Sequence, residues 1–307
     1  QAEDGIRDVE RSRGLGDVYK RQVRDGASLC QFLAWLARTA PDGGVSEISA
    51  AERLYDCRSG NDLFHGVSFE TISAAGSNGA IVHYRVDKNS NTMLAPGSVY
   101  LVDSGAQYLD GTTDVTRTVW IADVESTPGK EVRDRFTRVL KGHIAVATAR
   151  FPVGTSGGQL DTLARDALWR AGLDYDHGTG HGVGSFLGVH EGPQRISKQG
   201  ASVAFQPGMI VSNEPGYYKE GAYGIRIENL VVVRPAAAPS NADRPLLEFE
   251  TLTLAPIDRD LIASELMTLE EIEWLNSYHA RVRETLTPLV DDETASWLTE
   301  VTGPVGH

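Results

Sequence analysis

Apolar residues recur at intervals of three and four in five stretches of the chain, which predicts five amphipathic helices. Their apolar faces consist of Leu29, Phe32, Leu33 and Leu36; Ile48, Ala51 and Leu54; Val132, Phe136, Val139 and Leu140; Leu160, Leu163, Ala167 and Leu168; and Ile272, Leu275, Val282 and Leu286. Thr127-Pro128 predicts the cap and first turn of the third helix, and Gly172 predicts the end of the fourth. Thr268 and Glu271 form a capping box that opens the fifth helix. We expect these faces to pack into the core.

Short β-rich runs lie between the helices and predict strands. They cover residues 69–73, 80–84, 99–102, 115–121, 209–211 and 225–233. The first two runs flank a turn at 76–79, and the third and fourth flank a glycine-containing turn. Asp103 and Asp114 lie at the inner ends of that second pair, so we expect them to meet across a hairpin.

Three histidines, His177, His181 and His190, occur within fourteen residues together with five glycines. Glycine lets the backbone approach a ligand closely, and neutral imidazole is the commonest metal-ligating side chain. A histidine- and glycine-rich loop without a catalytic role is the alternative interpretation of this stretch alone.

Four carboxylates favour the metal-site interpretation. Asp103 and Asp114 precede the histidines, Glu214 and Glu228 follow them, and each lies in or at the end of an apolar run. A lone carboxylate is costly to bury there. Together with His181 the four form an oxygen-rich set, which suits hard or borderline divalent ions such as manganese. Two ions fit better than one, because they neutralise carboxylates that otherwise repel each other.

Two longer strings, DSGAQYLDGTTDVTRT at 103–118 and HGTGHGVGSFLGVHEGP at 177–193, resemble the pita-bread metallopeptidases. Within that family they are most similar to the cytosolic type of Xaa-Pro aminopeptidase, from about Val23 to the C-terminus. The resemblance implies an α+β pita-bread fold, in which helices cover a curved antiparallel sheet. It also implies a catalytic domain at 23–307 with a C-terminal helical extension, and a homodimer.

The same resemblance implies roles for the five ligand-type residues. Asp114 and Glu228 would bridge two divalent metal ions, with manganese expected first and zinc or cobalt as alternatives. Asp103 would chelate one ion, and His181 and Glu214 would complete the other. Glu214 would also act as the general base.

Four more residues are expected at the site by resemblance. His190 would donate a hydrogen bond to the developing oxyanion, as a catalytic residue. His83, also expected to be catalytic, and His177 would line the site near the residue after the scissile bond. Arg226 would steady the carboxylates. For His83 a purely structural histidine is the alternative, and for Arg226 a structural ion pair.

The implied reaction is removal of an N-terminal residue from peptides whose second residue is proline. A prolyl amide has no N–H, so a dedicated pocket for its ring is expected. The alternatives are a prolidase, which accepts only dipeptides, and a non-catalytic pita-bread protein that binds peptides. Comparing a dipeptide with a tripeptide as substrate separates the two enzymes.

Net charge and cysteine content limit the possible partners and the expected cellular location. The 307 residues carry a formal net charge of -13 with a pI near 5.1, which argues against nucleic acid or an anionic membrane as partner. Cys30 and Cys57 are the two cysteines and indicate no disulfide framework. No apolar run approaches the ~18–20 residues of a membrane span. We therefore expect a cytoplasmic protein.

Residues 1–22 do not match the family and carry five acidic and five basic residues without apolar periodicity. They resemble translated adapter sequence at the ends of assembled genes, so we expect a non-native or disordered arm, with a genuine flexible arm as the alternative. The upstream N-terminal domains of the family are expected to be missing.

Overall fold

Helices and antiparallel sheets together make up the computed structural model, which describes residues 2–122, 127–237 and 239–306, with side chains from residue 16 onward. The helices are α1 Ala2–Thr39, α2 Glu47–Ser59, α3 Lys130–Ala147, α4 Gly157–Trp169, α5 Leu269–Leu286 and α6 Asp292–Val301. The strands are β1 Phe64–Val67, β2 Ile72–Ala75, β3 Ser98–Ser104, β4 Ala106–Tyr108, β5 Gly111–Thr112, β6 Val115–Ile121, β7 Arg150–Pro152, β8 Gly180–His181, β9 Arg195–Ile196, β10 Ile210–Asn213, β11 Gly216–Lys219, β12 Tyr223–Arg226, β13 Asn229–Ala236 and β14 Leu246–Thr251. This composition confirms the α+β class.

One antiparallel sheet has the strand order β2-β3-β6 and packs against α1 and α2. The predicted apolar face of the first helix is buried there, with Phe32 and Leu33 in a cluster that includes Tyr100 and Val102 of β3. Burial of apolar side chains at about 25 cal/mol per Å² is the main force that holds the two helices on the sheet.

A second antiparallel sheet has the order β10-β13-β14-β7, with α3 and α4 packed together beside it. Phe151, Phe205 and Phe249 form an aromatic cluster in its core, with ring centroids 5.1–5.8 Å apart. The sheet is therefore held to the helices by a core of its own.

The two sheets meet where β6 runs beside the β12–β13 segment. Glu228 N donates to Thr116 O at 3.2 Å, and Arg226 N donates to Thr118 Oγ1 at 3.0 Å. Behind this junction Arg117 is fully buried and donates to the Glu228 and Ala255 carbonyl oxygens at 2.6 and 2.9 Å. The junction is thus a hydrogen-bonded seam between sheets that are distant in sequence.

The C-terminal helices α5 and α6 cover the core on the side of α1 and α3. α5 begins with the predicted capping box, in which Thr268 accepts from Glu271 N, and it buries Leu275 and Val282 against α3. α6 packs against α1. In the described ranges the chain has no helix long and apolar enough to cross a membrane.

Three local predictions are wrong. Residues 80–84 are not a strand, because the preceding turn is a 3-10 helix, Gly76–Ala80, that leads into a loop. The N-cap of α3 is Gly129, so Thr127-Pro128 lies before the helix. The run 225–233 is divided into β12 and β13, and Glu228 lies in the break.

The beginning of the chain also differs from expectation. α1 is one helix from Ala2, and Val18, Arg21 and Gln22 are buried, so an unpacked arm up to residue 22 is wrong for residues 16–22. Val18 packs in a cluster with residues of β13 such as Leu230, a contact that no local periodicity reveals. The packing of residues 1–15 lies outside the described side chains, and the proposed non-native origin of 1–22 stays a prediction.

Candidate metal centre and substrate pocket

The first sheet contributes the two aspartates. Asp103 lies in β3 opposite Thr116 of β6, and Asp114 immediately precedes β6. Both side chains are buried. The antiparallel pairing of β3 with β6 thus brings the two carboxylates to one end of the sheet, as the predicted hairpin required.

The second sheet contributes the two glutamates. Glu214 directly follows β10, and Glu228 lies between β12 and β13. β10 pairs with β13, and Asn213 is opposite Asn229, so the two glutamates leave neighbouring strands at the same level. Glu228 is fully buried.

His181 ends the short strand β8, which lies against β10. Its backbone N donates to Ser212 Oγ at 2.9 Å, and Ser212 Oγ donates to Glu214 Oε1 at 2.9 Å. The preceding residue, Gly180, is so close to β10 that a Cβ there would lie 1.9 Å from Ser212 O. Glycine is therefore needed for this approach of the two backbones.

These side chains converge. His181 Nε2 lies 3.4 Å from Asp114 Oδ2 and 3.3 Å from Glu214 Oε1. Ligand atoms of Asp114, His181 and Glu228 all lie within 4.8 Å of one another. All five predicted ligands line one pocket of about 460 Å³, and the same pocket is lined by His83, His177, His190 and Arg226. The structure therefore brings every predicted site residue to one place.

The pKa values of three carboxylates and of His181 in this group are raised, so the site favours bound positive charge. Burial, and after it the charge of Asp103, raises the pKa of Asp114 to about 6. Burial, helped by the Asp114 charge, raises the pKa of Glu214 to about 7, and burial raises that of Glu228 well above its ordinary value. Burial opposes protonation of His181, but the hydrogen bond with Asp114 and the nearby carboxylates outweigh it and raise the pKa to about 9.

A divalent cation fits these residues. Asp103 Oδ1 is buried and has no hydrogen-bond partner within the described part of the chain, which leaves a ligand atom unsatisfied. The donor set is oxygen-rich with one imidazole, as hard or borderline divalent ions prefer. A cation would also offset the burial and the mutual repulsion that together raise the carboxylate pKa values.

Arg226 connects the two halves of the site. Its Nη2 donates to Asp103 Oδ2 at 2.6 Å, and its Nη1 donates to Tyr218 OH at 2.6 Å. Its Nε donates to Thr116 Oγ1 at 3.2 Å, and Thr116 Oγ1 donates to Glu228 Oε2 at 2.7 Å. Asp103 and Glu228, which come from different sheets, are therefore oriented by one guanidinium group.

His177 is a partly buried, neutral ring. Its Nδ1 lies 2.8 Å from Gly178 O, which can only accept, so Nδ1 carries the proton and Nε2 accepts from Tyr218 OH at 2.9 Å. Burial, and after it the charge of Arg226, lowers the His177 pKa to about 3. The ring thus presents a fixed tautomer to the pocket.

His190 and His83 are exposed on loops at the pocket. The His190 ring contacts that of His181 edge-on, with centroids 4.2 Å apart. Partial burial, and after it the charge of His181, lowers the His190 pKa, which favours the neutral ring at neutral pH. The loop that carries His190 is held at its tip, where Gln107 Nε2 donates to Leu187 O at 3.2 Å.

Four supporting residues were missed by sequence reasoning, namely Gln107, Thr116, Ser212 and Tyr218. Thr116 and Ser212 each lie two positions from a predicted ligand, and side chains at i and i+2 share one face of a strand. That spacing could have revealed both. Tyr218 and Gln107 had no such signal, because hairpins distant in sequence bring them to the site.

The fold and the site together define a class: α+β proteins that gather four carboxylates and a histidine from two antiparallel sheets at one candidate cation site. The comparisons identify the group. The chain belongs to metallopeptidase family M24, which matches residues 20–235, and residues 245–305 match the C-terminal region of peptidase M24. The pita-bread fold expected from the sequence is confirmed.

Individual proteins are similar over most of this chain. A probable Xaa-Pro aminopeptidase P from Coprinopsis cinerea is 50% identical over 289 residues, which cover 92% of this chain and 46% of that protein. The crystal structure of X-prolyl aminopeptidase from Caenorhabditis elegans, described as a cytosolic enzyme with a di-nuclear active site, has a TM-score of 0.90 at 42% identity and covers 95% of this chain and 48% of that one. An Xaa-Pro dipeptidase from Bacillus anthracis has a TM-score of 0.65 at 25% identity, covering 80% of this chain and 62% of that one.

The first two relatives are much longer than this protein. The chain spans about half of the length of each, 46% and 48% respectively. It therefore corresponds to only part of either relative.

Proposed function

We propose that the chain is a metal-dependent aminopeptidase that hydrolyses the N-terminal Xaa-Pro peptide bond. The observation that carries the proposal is the convergence of all nine predicted site residues on one pocket at the junction of the sheets. The greater similarity to the Caenorhabditis elegans X-prolyl aminopeptidase than to the Bacillus anthracis dipeptidase supports an aminopeptidase over a prolidase.

Asp103, Asp114, His181, Glu214 and Glu228 would hold two divalent ions, with manganese as the first candidate and zinc or cobalt as alternatives. When bound, such ions activate water and polarise the scissile carbonyl. The unsatisfied Asp103 Oδ1 and the raised carboxylate pKa values support the binding of positive charge here.

Glu214 is the proposed general base, which accepts the proton of the attacking water. Ser212 Oγ donates to its Oε1 at 2.9 Å and so fixes the orientation of the carboxylate. His190, neutral and exposed at the same pocket, is proposed to donate a hydrogen bond to the oxygen on which negative charge develops. Glu214 would thus act on the attacking water, and His190 on the carbonyl oxygen of the substrate.

The proposed substrate side is formed by His83, His177 and the pocket mouth. His177 is held by Tyr218, and both histidines would contact the proline residue that follows the scissile bond. Arg85 and Arg195 also line the pocket. A guanidinium group there can bind the terminal carboxylate of a short peptide, which keeps prolidase as the second candidate.

The activity test uses the protein loaded with Mn²⁺. Hydrolysis of an Xaa-Pro-Xaa tripeptide with release of the N-terminal residue is expected, and hydrolysis of the Xaa-Pro dipeptide alone would assign a prolidase. Binding of the tripeptide without turnover would leave a non-catalytic peptide-binding protein, the third alternative.

Two variants test the residue roles. His190→Ala is expected to lower kcat by about 10²–10³-fold while Mn²⁺ content stays unchanged, since the loss of one oxyanion donor has that effect. Glu214→Gln is expected to lose both metal and activity, because Glu214 has both roles. Glu220→Gln, at an exposed turn, is the matched control. Unchanged kcat in His190→Ala at saturating Mn²⁺ would remove His190 from the mechanism.

We also propose that the protein is cytoplasmic and forms a homodimer. Its partners would be peptide substrates, and not nucleic acid or a membrane. The net charge of -13 supports the exclusion of polyanionic partners, and the description of the Caenorhabditis elegans relative as cytosolic supports the location. Light scattering after size-exclusion chromatography tests the dimer, and a mass near 33 kDa would contradict it.

A further inference from the structure

Glu47, at the first turn of α2, is a fully buried carboxylate outside the metal site. Its Oε1 accepts from Ala75 N at 2.8 Å and from Asn78 Nδ2 at 2.9 Å. Its Oε2 accepts from Tyr84 OH and from Thr92 N, both at 2.9 Å. Four neutral donors thus surround one carboxylate.

A buried carboxylate with four donors is destabilising unless all four hydrogen bonds are formed. A buried carboxylate needs hydrogen bonds to its lone-pair directions, and each donor left without an acceptor is destabilising. The position at a helix N-terminus adds favourable interaction with the helix dipole. The group therefore has one well-defined geometry, which makes Glu47 suited to hold other segments in place.

Glu47 holds the loop that forms one wall of the substrate pocket. We call residues 81–92 the His83 loop. Glu47 bonds this loop at both ends, through Tyr84 and Thr92, and its own backbone N donates to Thr92 O at 3.0 Å. Val82, His83, Tyr84 and Arg85 line the same pocket as the candidate metal ligands. The loop contains no strand or α-helix, so its position depends on side-chain contacts such as these.

We infer that Glu47 is a positioning residue that sets the location of His83 and thereby the affinity for the substrate peptide. The inference rests on the proposed function. Glu47 forms no hydrogen bond with a candidate metal ligand, so its direct contacts reach the peptide side of the pocket through the His83 loop.

Glu47→Gln tests this inference. The amide keeps the volume but leaves one pair of donors without an acceptor, so the His83 loop loses its fixed position. A misplacement of about 1 Å can cost up to about 10²-fold in kcat/KM. We expect KM for an Xaa-Pro-Xaa tripeptide to rise about tenfold or more, with kcat and Mn²⁺ affinity within about twofold of wild type. Glu52→Gln, exposed on the same helix, is the matched control and should change neither constant.

A double-mutant cycle with His83→Ala separates positioning from general destabilisation. If Glu47 acts through His83, Glu47→Gln raises KM in the wild-type background and has little further effect in His83→Ala. Additive effects, or a loss of kcat and Mn²⁺ binding together, would overturn the inference. Should Glu47→Gln fail to fold, Tyr84→Phe removes one bond of the same network, and an unchanged KM in that variant would equally overturn it. Lack of turnover by the wild-type protein would instead refute the proposed function.

Discussion

Replacing Gly180 by alanine tests whether the metal site depends on the close approach of β8 and β10. A Cβ at this position would lie 1.9 Å from Ser212 O. Carbon–oxygen contacts below about 3 Å are strongly repulsive, so the two backbones must separate by about 1 Å. His181 and Glu214 are both tied to Ser212, by bonds of 2.9 Å each, and this movement would change their separation.

The expected loss is larger for metal binding than for folding. Overpacking of this kind typically costs about 1–3 kcal/mol of stability. Metal coordination tolerates only about 0.2 Å of ligand displacement, and loss of a supporting contact lowers affinity about 10- to 100-fold. Gly180→Ala should therefore remain folded but bind Mn²⁺ at least about tenfold more weakly.

Isothermal titration with Mn²⁺, alongside chemical unfolding of the metal-free protein, measures both quantities. Gly66→Ala is the control, because Gly66 lies in strand β1 and a Cβ there would have no heavy atom within 4 Å. If Gly180→Ala binds Mn²⁺ as tightly as wild type, the placement of His181 and Glu214 by this backbone contact is refuted.

Three further outcomes concern stability. Arg117→Met should lower the free energy of unfolding by at least about 1–3 kcal/mol, the cost of one buried group left without a partner, because Arg117 donates to several buried carbonyl oxygens at the sheet junction. The exposed Arg170→Met should change the free energy of unfolding by less than about 0.5 kcal/mol, and equal urea midpoints of the two variants would contradict this prediction. Burial lowers the pKa of His279 to about 3 from an ordinary value of 6.5. Because the unfolded chain takes up this proton first, the contribution of His279 to the free energy of unfolding is fully present above pH 6.5 and declines as the pH falls towards 3. Below pH 6.5 wild type should lose about 1.4 kcal/mol more per pH unit than His279→Gln, and parallel pH profiles of unfolding would refute the assignment. Deleting residues 1–22 should lower Tm by several degrees, because Val18 is buried against β13, and an unchanged Tm would restore the interpretation as an unpacked arm.

Local sequence patterns were sufficient to predict those features that depend on a single segment of the chain. Most of the apolar helix faces and the Thr268 capping box could be predicted because both depend on spacing along one helix, although Leu163 of α4 is exposed and Ile48 and Ala51 of α2 are only half-buried. The candidate ligands could be predicted because carboxylates at the ends of apolar runs are costly to bury without a counter-charge. That residues 80–84 form a loop and not a strand could not be predicted, because the 3-10 helix before them and the bond from Tyr84 OH to Glu47 Oε2 override their β-rich composition.

By itself the sequence determined the family, the fold class and the identities of the site residues, since these depend on residue types in a fixed order. Only the tertiary structure decided how the site is supported. Arg226 donates directly to Asp103 and, through Thr116, orients Glu228 on the other sheet, and Tyr218 OH donates to Nε2 of His177. Hydrogen bonds between segments more than a hundred residues apart, such as the bond from Arg226 to Asp103, depend on how the strands pair and pack, and no periodicity along the chain encodes them.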